Sequence, residues 1–74
     1  MVTISEVMVF STNVMEPGQS ELLIKQLQEH FPNSRISFDL DDCDKVLRVA
    51  GEDIDQKEVV RLLRIAGYWC EMML

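Results

Sequence analysis

Arg35-Ile36-Ser37-Phe38-Asp39-Leu40-Asp41-Asp42-Cys43-Asp44-Lys45-Val46-Leu47-Arg48-Val49-Ala50-Gly51 consists of two alternating runs on either side of an acidic turn. Ile36, Phe38 and Leu40 alternate with Arg35, Ser37 and Asp39; beyond residues 41–44, Leu47 and Val49 stand against Val46 and Arg48. A period of two is that of strands with one face buried, so this stretch predicts a hairpin.

The flanking segments have a different period. Leu23, Ile24, Leu27 and Phe31 recur every three or four residues between Pro17, which suits a first helical turn because it has no N–H to satisfy, and the stop at Pro32-Asn33. A helix of about three to four turns is expected there. After the hairpin, Asp55 with Glu58 three residues on matches a capping box, and Val59, Leu62, Leu63 and Ala66 form the buried stripe of a second helix ending at Gly67. Residues 2–10 are rich in β-branched and bulky side chains, with Val7 and Val9 on one side of a strand and Glu6, Met8 and Phe10 on the other. Residues 68–73 read as a last strand, with Tyr68, Cys70 and Met72 on one side and Trp69, Glu71 and Met73 on the other.

The order is therefore β-α-β-β-α-β. With right-handed crossovers it predicts a ferredoxin-like α+β fold: a four-stranded antiparallel sheet, strand order 4-1-3-2, with both helices on one face. It also predicts that the loop leaving the first strand, the hairpin turn around Cys43 and the start of the last strand near Tyr68 share one edge. Any site is expected on that edge.

At 74 residues the chain makes one domain, and small domains bury a modest fraction of their surface. Thirteen acidic against seven basic residues give a net charge of −6, which repels nucleic-acid phosphates and anionic membrane surfaces. No apolar run approaches the roughly 20 residues that span a bilayer, and Met1-Val2-Thr3-Ile4-Ser5-Glu6 lacks the basic start of a signal peptide. A soluble, cytoplasmic protein is expected, with Cys43 and Cys70 as reduced thiols.

The strand-loop-helix opening, the runs Ile36-Ser37-Phe38-Asp39-Leu40 and Val46-Leu47-Arg48-Val49-Ala50-Gly51, and the ending Ile65-Ala66-Gly67-Tyr68 followed by Glu71 together resemble the heavy-metal-associated domain of copper chaperones and metal-pump modules. The resemblance covers nearly the whole chain. It implies two metal-binding cysteines, spaced Cys-x-x-Cys, in the first loop. Alignment on Leu23 and Leu27 puts Glu16 and Gln19 at those two places. Soft sulfur selects Cu(I) and lets the ion pass to a partner, whereas a carboxylate and a carboxamide are not soft donors. No metal is therefore expected at Glu16 and Gln19, and Cys43 and Cys70, at opposite sheet edges about 14 Å apart, are too distant to share one.

Asp39, Asp41, Asp42 and Asp44 lack the glycine and the closing glutamate of a calcium loop and read as a solvated turn. His30 has no second histidine and suits the negative end of the first helix. Cys43 reads as an inert turn residue among carboxylates and Cys70 as a small core residue. Lys57, Arg61 and Arg64 form a basic stripe on the second helix, and Trp69, Phe10 and Met8 are expected to share the uncovered face of the sheet. No Ser-His-Asp set or Cys-His pairing appears, so neither an enzyme nor a cofactor is expected.

The function expected is a non-enzymatic interaction module on a metal-carrier-like scaffold, a monomer or weak dimer that docks an unidentified protein through the shared edge or the bare sheet face. The residues expected to contact the partner are Asn13, Met15, Glu16, Asp41, Asp42, Tyr68 and Trp69. Two alternatives stand beside it. Glu16-Pro17-Gly18 resembles the helix start of amino-acid-sensing ACT domains, which share this element order, and Met15, Glu16 and Cys43 are candidates for a divergent metal site.

Overall fold

Both helices end in the way their sequences dictate. A computed structural model describes residues 6–41, 43 and 45–73, in the order β1 (Glu6–Thr12), α1 (Pro17–His30), β2 (Arg35–Asp39), β3 (Val46–Gly51), α2 (Gln56–Ile65) and β4 (Cys70–Met72). Pro17 opens α1, and the Glu16 carbonyl accepts the Gln19 and Ser20 amides, each at 3.1 Å. Asp55 caps α2 by accepting the Lys57 N–H at 2.9 Å. The reciprocal half of the expected capping box does not form, because Glu58 turns forward to the Arg61 guanidinium. That hydrogen bond holds the Glu58 carboxyl below its ordinary pKa and raises that of Arg61.

The end of α2 is a Schellman motif. The Gly67 N–H reaches the Arg64 carbonyl at 3.0 Å and the Tyr68 N–H reaches the Leu63 carbonyl at 2.9 Å, with Gly67 at φ +95°. An added Cβ at Gly67 meets nothing within 4 Å, so only backbone strain opposes a side chain there. Gly67→Ala is expected to lower the free energy of unfolding in urea by about 1–2 kcal/mol, the cost of a left-handed conformation with a Cβ.

The four strands form one antiparallel sheet in the order β2-β3-β1-β4, and the fold is the ferredoxin-like α+β arrangement. Phe10 stands opposite Leu47 on β3 and Met72 on β4, so these three side chains share a face. The core on that face combines Phe10, Leu47, Val49 and Cys70 with Leu23 and Leu27 of α1 and Val59 and Leu63 of α2, and the loop residues Val14 and Ile54 close its two ends. Gly51 sits where β3 leaves the sheet, and a Cβ there would lie 3.0 Å from the Ser34 Cβ and 2.9 Å from the Ile54 Cδ1. The approach of these two loops leaves little room for a side chain at Gly51.

The sheet register corrects the expected sidedness of β1. Phe10 is fully buried and Met8 packs against the core, so neither is on the open face with Trp69. Val7, Val9 and Ser11 point outward instead. The strand also runs on to Thr12 and β4 begins only at Cys70; the proposed first residues of β1, 2–5, lie outside the described residues. Val46, expected with the exposed set, faces away from the helices yet is 3% exposed. Among the described residues no helix is long and apolar enough to cross a membrane.

Candidate functional site

Three hydrogen bonds build the expected edge. The Thr12 hydroxyl donates to the Lys45 carbonyl at 2.6 Å and accepts the Val14 N–H at 3.3 Å, tying the loop after β1 to the start of β3. The Asn13 Oδ1 accepts the Trp69 N–H at 2.7 Å and ties the same loop to the start of β4. Lys45 is held at φ 49°, and its Nζ donates to the Leu40 carbonyl at 2.9 Å across the hairpin. The first loop, the hairpin end and the start of the last strand therefore do share one edge.

Along that edge the residues separate into two sets. Asn13, Met15, Glu16, Tyr68 and Trp69 lie at the β1 and β4 end, while Asp41 is exposed in the turn of the β2-β3 hairpin, on the opposite side of the sheet. Asp42 lies outside the described residues. Val14 anchors the loop by burying its side chain completely, whereas its neighbour Met15 is 70% exposed. Trp69 has its backbone pinned by Asn13 and its side chain half exposed, at 51%.

The helices add residues that sequence reading missed. Leu22 of α1 is 63% exposed and lines a groove of about 200 Å³ with Gln19, Leu23, Gln26, Ala66 and Tyr68. Ile65 is 70% exposed. It is the last residue of α2, next in the chain to Ala66 of that groove. The sequence signal was available. In Leu22-Leu23-Ile24 the three apolar residues span some 200° of helix, more than one face can bury, and the stripe Val59, Leu62, Leu63, Ala66 leaves Ile65 over.

Glu16 and Gln19, at the places the resemblance assigns to cysteines, are an exposed residue without a side-chain cap bond and a half-buried residue lining the groove. Among the described residues, no three His, Cys, Asp or Glu side chains are arranged to hold a metal ion. Cys43 is exposed and Cys70 is buried, and both are free. Burial pushes the Cys70 thiol up from its ordinary 9.0 to about 12. In the folded protein a thiol-specific reagent near pH 8 should modify the exposed Cys43 before Cys70, which it reaches only on unfolding. Because the folded state keeps its thiol proton where the unfolded chain loses it, the contribution of Cys70 to stability is complete below pH 9 and falls as pH rises toward 12. Of the basic stripe on α2, Arg61 is engaged by Glu58, while Lys57 and Arg64 are exposed.

Comparison with protein-family models, with curated proteins and with solved structures gives no match to this chain.

Proposed function

We propose that this chain is a non-enzymatic, cytoplasmic protein-interaction module on a scaffold resembling the heavy-metal-associated domain, with the thiolate pair of that family replaced and no cofactor in its place. The partner docks at the end where α1 begins and α2 finishes. One observation carries this reading: Met15, Leu22, Ile65 and Trp69, four of the large apolar side chains left exposed, all stand at that end of the fold. Apolar side chains gathered on a small domain mark contact surfaces, and a half-exposed tryptophan whose backbone is anchored has the character of a binding hot spot. Glu16 and Glu71 are exposed nearby and the chain carries −6, so the partner that fits is an apolar segment flanked by basic residues.

The test is a selection from a displayed peptide library on the folded domain. Selected peptides should combine large apolar residues with Lys or Arg, and their binding should weaken at least tenfold with Leu22→Glu and with Trp69→Ala. Peptides that bind both variants as well as the parent protein, or that carry no basic residue, would contradict the proposal.

A further inference from the structure

The sheet face opposite the helices is a second surface, bordered at the docking end by Trp69. By the register, its outward positions form a grid with Arg35, Ser37 and Asp39 along β2, Ala50, Arg48 and Val46 along β3, and Val7, Val9 and Ser11 along β1. Val9 lies at the centre of the β1 column, Val7 is 62% exposed and Ala50 is half buried beside it. Arg35 and Asp39 occupy opposite ends of the β2 column, with Ser37 between them.

We infer that this face binds a second copy of the chain, through a two-fold axis lying between the sheets and perpendicular to the strands. That operation keeps each strand over its own mate and reverses its direction. Arg35 of each copy then stands over Asp39 of the other, Val9 meets Val9, and the apolar end of one β1 column covers the opposite end of its mate. The alternative axis, along the strands, sets Asp39 over Glu71 and leaves Arg35 without a partner, so charge selects the first arrangement. Arg48 meets its own symmetry mate near the centre, but each guanidinium already has Asp39 of its own chain at 3.7 Å.

The area sets the strength. Strands about 4.8 Å apart rising about 3.3 Å per residue give the face roughly 14 by 20 Å, on the order of 300 Å² per copy. That is below the roughly 800 Å² per partner of a standard interface, so the association is weak and transient.

The experiment is sedimentation equilibrium of the folded chain from roughly 10 µM to 1 mM, the range in which weak association is read, in a reducing buffer that prevents cross-linking through Cys43. The average mass should rise from monomer toward dimer across this range. Val9→Lys should abolish the rise. Arg35→Asp and Asp39→Arg should each weaken it about tenfold, since both symmetry-related pairs become repulsive. An equimolar mixture of those two variants should associate more tightly than either alone, because each then offers the charge that the other lacks. A constant monomer mass, a mixture no better than its components, or a dimer lost with Leu22→Glu but kept with Val9→Lys would overturn the inference. The last result would place self-association on the helix end instead. Arg35→Asp and Asp39→Arg alter solvent-facing positions, so the test stands even where Val9→Lys fails to fold.

Discussion

Phe10→Ala is expected to cost about 3–5 kcal/mol, the range for removing a fully buried phenylalanine. The whole domain, at about 0.05–0.15 kcal/mol per residue, has roughly 4–11 kcal/mol to lose. The variant should therefore be substantially unfolded at room temperature or have a urea midpoint reduced by about half. Phe10 is fully buried in the core, between Leu47 and Met72 on the neighbouring strands. Val9→Ala is the comparison that makes the test one of register. A slip of one residue would put Val9 inside and Phe10 outside, so a larger cost for Val9→Ala than for Phe10→Ala would show the sheet to be paired otherwise.

Val14→Asp should cost about as much, 4 kcal/mol or more, because it forces an unpaired charge into the core. Val14 is the fully buried residue of the loop that carries Asn13 and Met15. Burial would raise the pKa of the introduced carboxyl above its ordinary value near 4, leaving it tolerable only when protonated. The deficit should therefore narrow as pH falls through that raised pKa and reach its full size at neutral pH. Met15→Asp, one residue on at a 70% exposed position, should change stability by no more than about 0.5 kcal/mol. Urea denaturation of the two variants at two pH values separates a buried plug from a surface loop.

Element order and strand order were both legible, because the alternation in the hairpin, the two helical stripes and their stop signals all pointed the same way. Gly67 was legible as a helix end for the same reason: only a residue free to adopt φ +95° completes that cap. The sides of β1 were not. Val7 and Val9 compete with Met8 and Phe10 for the core, and with large apolar residues on both sides of the pleat the alternation names no inward face. Pairing with Leu47 and Met72, which no local pattern encodes, decides it. The proposed docking end was half legible. Met15 and Trp69 stand out as large side chains beside a loop, whereas Leu22 and Ile65 sit within helices whose core stripes leave them over. The distance between Asp41 and Trp69 along the edge follows from the strand order, which was itself predicted; the consequence is that the acidic turn and the tryptophan serve one surface only if a partner spans the sheet.

Loop 13–16 and the first turn of α1 carry the proposed function, in which Glu16 and Gln19 are aligned by resemblance with the two thiolates of the heavy-metal-associated domain. Titration with Zn(II), and with Cu(I) under anaerobic conditions, followed through the backbone amide shifts of the whole chain, tests it most directly. The account predicts no saturable one-equivalent response at residues 13–19. A one-equivalent complex of submicromolar affinity whose shifts centre on those residues would contradict the proposal in favour of metal binding.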